Sequence, residues 1–281
     1  MSARLGAPHT VRVVTFTLDS ALIVGDSHAD AGWFKFTVLP LAVEMGVSAI
    51  VQVGDFGYWP DAAKFLHVVR TAREKYGVDV VFFDGNHEHF LMLARDVASA
   101  QVATGVPAGS REPVELSPGV TYLPRGARLE IAGRSVAVCG GAVSLNRRDL
   151  KLGVSWFAEE RINDLDIEAV ARGGPADILL THDAPSGWRI PGILSDGVIP
   201  VSWMMELPSA EEHRERVREV LEIVRPAVLI HGHYHSAYQL AHQESWGELE
   251  VFGLDCNDSR YWGVVLAEID GDLSAKWVDA S

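Results

Sequence analysis

The chain has 281 residues, of which 48% are hydrophobic and 22% are charged, and its mean hydropathy is +0.09. This composition is typical of a globular protein and excludes a disordered chain, a collagen-like repeat and a coiled coil. With 24 basic and 38 acidic residues the net charge is −14, which disfavours a chain-wide binding surface for a polyanion such as nucleic acid.

Six short apolar segments predict strands that are buried on both faces, because their hydrophobicity is continuous rather than alternating. They cover residues 21–24, 49–53, 78–83, 135–139, 177–180 and 227–230. Between them, residues 33–45 have a helical pattern in which Pro40 predicts a kink or a break. Residues 61–76 form a second amphipathic helix pattern, for which Gly77 provides a C-terminal stop.

The C-terminal part of the chain begins with a helix pattern and continues with strands. Ser209 and Glu212 have the spacing of a capping box, and the apolar face that follows ends before Pro226. Four further strands are predicted at 237–242, 248–254, 261–269 and 273–278. Because Asp270 and Gly271 form a hairpin signal, these strands predict a second, partly antiparallel sheet. The alternation of strands and helices before them predicts an α/β fold in a single domain over 1–281.

The cysteines and the apolar segments indicate in which cellular compartment the protein is expected. Cys139 and Cys256 are too few for a disulfide framework, and Cys139 falls in a predicted core strand, which favours a reducing cytoplasm. Residues 1–10 have no apolar stretch with a small-residue cleavage site, and no apolar run approaches the ~18 residues that span a bilayer. We therefore expect a cytoplasmic protein with no membrane partner.

Polar side chains follow five of the predicted buried strands, at the point where each strand ends. In chain order they are Asp26 and His28, Asp55, Asn86 and His87, His182, and His233 and His235. Open α/β sheets bind their ligands at the carboxyl ends of the strands. One such turn is more often structural than functional, but five turns at the same edge predict a common site.

Seven of these residues, all except His87, are taken as candidate metal ligands. Carboxylates, imidazoles and an amide oxygen without any thiolate favour Mn, Fe, Zn or Ni. Seven donors are too many for one ion, whereas a shared carboxylate gives each of two ions four protein ligands. The remaining positions are left for water and substrate, as a catalytic site requires. The sequence thus predicts two divalent ions, with Mn preferred.

The series Asp-x-His, Gly-Asp, Gly-Asn-His-Glu, a single His and Gly-His-x-His resembles the motifs of the calcineurin-like metallophosphoesterase family. The five motifs occur in the family's order between Asp26 and His235. The resemblance implies a four-layer α-β-β-α sandwich with two mixed β-sheets. It also implies a dinuclear phosphoesterase that hydrolyses a phosphomonoester or a phosphodiester by attack of a metal-bridging hydroxide.

The resemblance further implies a role for each motif residue. Asp26, His28 and His235 would hold the first ion; Asn86, His182 and His233 would hold the second; and Asp55 would bridge both. His87 matches the family's catalytic histidine and is expected to protonate the leaving oxygen or stabilise its charge. The Ser/Thr protein phosphatase branch carries Asp-Arg-Gly after its second motif, whereas Phe56 and Gly57 follow Asp55 here. Protein phosphatase activity is therefore disfavoured, and Tyr58 stands where that branch has the acidic partner of its histidine.

Five residues beside the motifs are candidates for supporting the ligands or the substrate. Asp84 is predicted either to pair with His87 or to cap the following helix. Arg147 and Arg148 are predicted either to bind a phosphate oxygen or to form an exposed surface pair. His231 is a candidate support for the ligands that follow it. Glu88 is expected to be a structural hydrogen-bond acceptor at the start of a helix rather than a ligand.

Two segments and five histidines complete the predictions. Residues 186–208 are rich in Trp, Met and Pro and predict either a substrate-shaping flap or an oligomer contact. Residues 1–19 are predicted to be an N-terminal extension or an extra strand. The histidines outside the motifs are expected at the surface: His9, His67, His89, His213 and His242.

Two other functions remain open alongside a phosphoesterase that acts on a small phosphate ester. One is a catalytically silent binding or scaffold protein of the same fold, which is disfavoured because every metal-donor position and His87 are present. The other is a nuclease of the same family, which is disfavoured by the net charge of −14 and the lack of a basic stripe. The substrate, the preference for a monoester or a diester, and the oligomeric state are left open.

Overall fold

The computed structural model describes residues 16–191, 201–257 and 259–278. Most of the predicted N-terminal extension at 1–19, including the region tested for a leader sequence, lies outside the described residues, as does 192–200 of the predicted flap. Within the described ranges the strands form two seven-stranded sheets. The structure thus has the two mixed sheets and the flanking helices that the resemblance implies.

Sheet I contains the first three predicted buried strands. In spatial order it consists of β14 (Asp272–Trp277), β13 (Gly263–Ile269), β2 (Ala21–Val24), β3 (Ala49–Val53), β4 (Asp79–Phe83), β6 (Val120–Tyr122) and β5 (Val114–Ser117). Strands β2, β3, β4 and β6 are parallel, and antiparallel strands extend the sheet on both sides. Because β2, β3 and β4 run in one direction, their carboxyl ends lie at the same edge.

Sheet II contains the other three predicted buried strands. In spatial order it consists of β1 (Phe16–Leu18), β7 (Arg128–Ile131), β8 (Arg134–Cys139), β9 (Ile178–Thr181), β10 (Val228–His231), β12 (Gly247–Gly253) and β11 (Tyr238–Glu244). Strands β8, β9, β10 and β12 are parallel. All six predicted buried strands form in the two sheets, with their ends within one residue of the prediction.

The two sheets pack face to face through alternate residues of these strands. Ile23 and Val51 of sheet I share a fully buried apolar core with Leu180 and Ile230 of sheet II. The intervening residues point outward and pack under helices, which makes both faces of each sheet buried. Continuous hydrophobicity in the sequence follows directly from this arrangement, and Cys139 is buried in β8 as predicted.

The four C-terminal strands do not form a sheet of their own, which corrects the prediction. The β11–β12 hairpin extends sheet II because β12 pairs in parallel with β10. The β13–β14 hairpin extends sheet I because β13 pairs antiparallel with β2. Asp270 and Gly271 both have positive φ, at 55° and 90°, as a tight hairpin turn of the predicted type requires. Alternation along a strand defines its buried face but not its neighbour.

Helices cover the outer faces of the sheets. They are α1 (Ala31–Trp33), α2 (Leu39–Glu44), α3 (Ala63–Arg70), α4 (Ala72–Tyr76), α5 (Phe90–Thr104), α6 (Asp164–Gly173), α7 (Val201–Met204) and α8 (Leu207–Val224). A π-helical segment, Phe34–Val38, joins α1 to α2 just before Pro40, which lacks the N–H needed to continue the helix ladder. Helix α4 ends at Gly77 in the left-handed conformation, as predicted. Among the described residues, no helix is both long and apolar enough to cross a lipid bilayer.

The predicted start of α8 is wrong. The helix begins at Leu207 rather than after Ser209, with Pro208 in its first turn, where a missing N–H is harmless. Ser209 and Glu212 do not form a capping box. Both accept from Arg161, whose guanidinium reaches the Ser209 Oγ at 2.9 Å and a Glu212 carboxylate oxygen at 3.4 Å.

Arg125 is a buried cation that joins the loop after β6 to the region around α6. Its guanidinium binds the Asp84 carboxylate at 2.6 and 2.8 Å and that of Asp166 at 3.1 Å. It also donates to the carbonyls of residues 159–161. Burial acts to lower the pKa of Arg125, but the charges of Asp84 and Asp166 raise it above its ordinary value. Arg125 therefore stays charged and carries much of the polar contact in this region.

Replacing Arg125 with Ala should lower the free energy of unfolding by about 3–5 kcal/mol, because it leaves the buried Asp84 carboxylate without its counter-charge and Asp166 with Arg111 alone. Urea unfolding followed by circular dichroism measures this loss. Arg216 is the matched control, since it is a partly exposed arginine that also pairs with acidic side chains, and its Ala variant should lose less than about 1 kcal/mol. Equal losses in the two variants would contradict the assignment.

Candidate metal centre

The loops that follow β2, β3, β4, β9 and β10 meet at one edge of the sandwich. Backbone hydrogen bonds join them: the His28 N–H donates to the Asp55 carbonyl at 2.9 Å, and the Gly232 N–H donates to the His182 carbonyl at 3.1 Å. Three of the loops come from sheet I and two from sheet II. The site therefore depends on the packing of the two sheets against each other.

A first donor group consists of Asp26, His28 and His235. The Oδ2 atom of Asp26 lies 3.1 Å from His235 Nε2 and 3.9 Å from His28 Nε2. The two Nε2 atoms are 3.0 Å apart. Asp26 is fully buried, whereas the two histidines are partly exposed. Two imidazole nitrogens and a carboxylate oxygen that converge in this way fit a cation.

A second donor group is centred on His182. Its Nε2 atom lies 3.2 Å from Asp55 Oδ1 and 3.2 Å from Asn86 Oδ1. Its Nδ1 atom is 2.8 Å from the Val53 carbonyl, to which it must donate because a carbonyl only accepts. Because Nδ1 is committed to this donation, a proton on Nε2 is directed at the two oxygen atoms. A metal ion that replaced this proton would meet three donor atoms, the Nε2 nitrogen and the two oxygens.

The two donor groups are contiguous. Ligand atoms of Asp26, Asp55 and His182 all lie within 4.8 Å of one another, so Asp26 belongs to both groups. The ring of His233 lies 5.1 Å from that of His182, and its backbone N–H donates to Asp26 Oδ1 at 3.1 Å. The structure thus brings all seven predicted donors together at one edge.

The charges of the site reinforce this fit. Burial acts to raise the pKa of the Asp55 carboxyl, but His182 and His87 hold it well below its ordinary value. Burial acts to lower the pKa of His182, but Asp55 and Asp26 raise it to about 10. Burial lowers the pKa of His233 to about 4, so this ring is neutral and able to act as a ligand. Two buried carboxylates therefore stabilise positive charge at the position where a cation would bind.

The backbone is strained at several donors. His28, Asp55, His233 and His235 have φ values of 45°, 49°, 71° and 47°, a region that side chains other than glycine seldom adopt. Such residues cost of order 1–3 kcal/mol each and occur where the surrounding structure holds them for function. Gly85 is required beside them, because a Cβ there would lie 2.2 Å from Asp55 Oδ1.

His87 lies at the mouth of the site. Its backbone N–H donates to Asp55 Oδ1 at 2.8 Å, and its ring stands edge-on to that of His28 with centroids 5.7 Å apart. Its carbonyl accepts from the indole N–H of Trp59. His28, Trp59 and His87 line a recess of about 220 Å³ together with Gly57, Leu150 and Ser155. His87 thus borders the recess and the ring of His28 but belongs to neither donor group.

Asp84 does neither of the things predicted for it. Its carboxylate accepts from the Tyr122 hydroxyl at 2.7 Å and from Arg125, and has no hydrogen bond to His87. The N-cap of α5 is His89, not Asp84. Both predictions fail because the Asp84 carboxylate is already hydrogen-bonded to the buried guanidinium of Arg125, which comes from a distant loop.

The predicted phosphate role of the two arginines finds no support in the structure. Arg147 and Arg148 both pair with Glu206, at 3.6 and 3.2 Å, and Arg147 also stacks over Trp156. Neither lines the recess beside His87. Glu206 is buried, so the pair is more than a solvated surface feature.

His231 and Glu88 support the loops from behind. Burial lowers the pKa of His231 to about 4, and the ring donates to the Gly232 carbonyl and accepts from the Tyr238 hydroxyl. Glu88 accepts from the backbone N–H groups of Phe56 and Gly85, both at 2.7 Å. Burial and the nearby Asp55 raise the pKa of Glu88 to about 8. Glu88 is therefore a structural acceptor as expected, although it ties two loops together rather than opening a helix.

Four residues near the donor groups were not singled out from the sequence: Ser144, Glu160, Asp183 and Tyr234. Ser144 and Glu160 form a buried pair behind Asn86. Asp183 accepts from the Tyr234 hydroxyl at 2.6 Å and from His213 at 2.7 Å, which corrects the expectation that His213 lies at the surface. Asp183 follows His182 directly, and this proximity was the only signal available. Within the segment 186–208, Trp188 packs against His242. The proposed flap or oligomer contact in this segment stays a prediction.

Comparison with known proteins agrees with this site. The family model for calcineurin-like phosphoesterases matches residues 20–237. The crystal structure of TT1561 of Thermus thermophilus is similar over 92% of this chain and 99% of its own, with a TM-score of 0.54 and 12% identity, which indicates a shared fold. A conserved protein of Streptococcus pneumoniae, described as a predicted phosphoesterase, covers 93% and 90% at 12% identity with a TM-score of 0.34.

A search of curated proteins by sequence gives no match. The family model nevertheless spans well over half of the chain, and every converging donor lies inside the matched range. The protein therefore belongs to the calcineurin-like phosphoesterase family.

Proposed function

We propose that this protein is a dinuclear metal-dependent phosphoesterase that hydrolyses a small phosphomonoester or phosphodiester. The observation that carries the proposal is the pair of contiguous donor groups that share the buried carboxylate of Asp26. A single ion would leave half of these donors unused in a buried, charged environment. Two divalent ions satisfy all of them.

The residue roles are those that the family resemblance implies, although Asp26 is the carboxylate that the two donor groups share. The first ion is assigned to Asp26, His28 and His235; the second to Asn86, His182 and His233; and Asp55 is assigned to both. Carboxylate, amide and imidazole donors suit Mn²⁺, which we propose as the metal, and the same set is compatible with Fe, Zn or Ni. When bound, two such ions polarise phosphoryl oxygens and lower the pKa of a water molecule.

The chain itself positions the substrate and handles the proton on the leaving group. His87 borders the recess and lies outside both donor groups, so its ring is free to donate a proton to the leaving oxygen. Two backbone contacts hold it in place: its N–H on Asp55 and its carbonyl on Trp59. Leu150 and Ser155 line the same recess.

The surroundings favour a small substrate. The net charge of −14 opposes a long polyanion, so a nuclease role stays the weaker alternative. No membrane partner is proposed. Both cysteines are unpaired, which supports the proposed reducing, cytoplasmic location.

The proposed function predicts metal-dependent hydrolysis. Protein treated with a chelator and then freed of it should not hydrolyse an aryl phosphomonoester or an aryl phosphodiester, and added Mn²⁺ should restore the rate. Parallel assays with Fe²⁺, Zn²⁺ and Ni²⁺ rank the metals, and the ratio of the two rates gives the ester preference. Full turnover without metal would refute the proposal, and no turnover with any metal would favour the binding or scaffold alternative.

Replacing His87 with Ala should lower kcat by about 10²–10⁴-fold, because a positioned general acid contributes that much. The bound metal content should stay at that of the parent, since the imidazole is outside the donor groups. Steady-state kinetics and elemental analysis measure the two quantities. His67, an exposed histidine of α3, is the control, and its Ala variant should match the parent. An unchanged kcat in the His87 variant would contradict the role of His87 as general acid.

A further inference from the structure

A chain of three buried side chains stands behind the second donor group. The Asn86 amide nitrogen lies 3.1 Å from the Ser144 hydroxyl oxygen, which lies 2.6 Å from Glu160 Oε2. The Ser144 backbone N–H also donates to Glu160 Oε1 at 3.1 Å. Ser144 and Glu160 are each only 1% exposed, and Asn86 is 4% exposed. Water therefore does not compete for these hydrogen bonds.

The three side chains can donate and accept these hydrogen bonds in only one arrangement. A carboxylate only accepts, so the single proton of the Ser144 hydroxyl goes to Glu160. The hydroxyl oxygen is then left with lone pairs, which can accept only from the NH₂ side of Asn86. The amide oxygen is consequently turned toward His182, from which it lies 3.2 Å away.

An amide side chain that points the other way would present N–H groups to the cation. The two ends of an Asn amide have nearly the same size, so packing alone does not choose between them. Reversal would replace an oxygen donor by a group that repels a metal ion. The chain of hydrogen bonds is what distinguishes the two orientations.

We infer that Ser144, held by Glu160, is a positioning residue that turns the Asn86 oxygen into the metal centre and so sets the affinity of the second ion. The inference rests on the proposed function only for the presence of two ions. Partners that orient metal ligands in this way are commonly worth 10–100-fold in metal affinity. If Ser144 only held the 140–144 loop in place, its loss would weaken the binding of both ions equally or would lower only the stability of the fold.

The test is a titration of metal-free protein with Mn²⁺. Calorimetry measures the affinity of each ion, and electron paramagnetic resonance detects the bound ions. The S144A variant should bind the first ion as the parent does and the second ion about 10–100-fold more weakly. It should also lose the signal of the coupled Mn²⁺ pair at metal concentrations that saturate the parent. Neither readout depends on catalysis.

Ser135 provides a matched control at the opposite end of β8. Its hydroxyl and its backbone N–H both donate to Asp177 Oδ2, at 2.6 and 2.9 Å, whereas those of Ser144 donate to the two oxygens of Glu160; the Ser135 pair is exposed and far from the donor groups. The S135A variant should bind both ions like the parent. If S144A does not fold, E160Q serves instead, because its amide can donate to Ser144 and release the hydroxyl proton toward Asn86. The second ion should again be the one weakened.

The outcomes separate this inference from the proposed function. Parent-like binding of both ions by a folded S144A or E160Q variant overturns the inference alone, as does an equal loss of both ions. A parent that binds two ions and hydrolyses no phosphate ester overturns the proposed function and leaves the inference standing. A parent that binds fewer than two ions overturns both.

Discussion

The site depends on the burial of two carboxylates, Asp26 and Asp55, close to each other. Each is almost inaccessible to solvent. Burial and the nearby Asp55 act to raise the pKa of Asp26, but His182 and His235 hold it below its ordinary value. Buried like charges are costly unless neighbouring groups compensate them. Besides the histidines, the backbone compensates them: Asp55 accepts from the N–H groups of residues 86 and 87, and Asp26 accepts from that of His233. The acidic groups thereby bind the loops together as well as offering donors.

This arrangement also explains why two sheets are needed. Asp26 and Asp55 end neighbouring parallel strands of sheet I, whereas His182 and His233 follow neighbouring parallel strands of sheet II. Only the face-to-face packing of the sheets brings histidines from one to carboxylates of the other. The close approach leaves no room for a Cβ at Gly232, which would lie 2.2 Å from Asp26 Oδ1. A small residue at this strand end is therefore required for the donors to approach one another.

The residues that the sequence predicted best are those whose role is set by a single strand. A continuous apolar run defines a buried strand, and all six such strands form; five of them are followed by candidate donors. The short strands β5, β6 and β7 were missed because they carry three or four residues and no continuous apolar run, whereas β1 falls within the extension or extra strand predicted at 1–19. Helix α6 was missed although Asn163 and Asp166 have the spacing of a capping box, and the structure contains that box.

Long charged side chains were predicted least well, because their partners come from distant parts of the chain. Asp84 meets Arg125, 41 residues away, and Arg148 meets Glu206, 58 residues away. No local pattern encodes either pairing. The Ser144–Glu160 pair was missed for a related reason: Ser and Glu sixteen residues apart carry no signal until the fold brings them behind Asn86. Donors can be read from the ends of strands, but the residues that orient them cannot.

The pairing of the arginines changes how an acidic protein could attract a phosphate ester. Arg147 and Arg148 are occupied by Glu206, and the described lining of the recess beside His87 includes neither lysine nor arginine. Within this recess, positive charge for the substrate would come from the metal ions themselves. Two dications against Asp26 and Asp55 would leave a local charge of roughly +2, the largest in the site. Substrate binding and catalysis would thus depend on the same ions, so loss of the metal should remove both together.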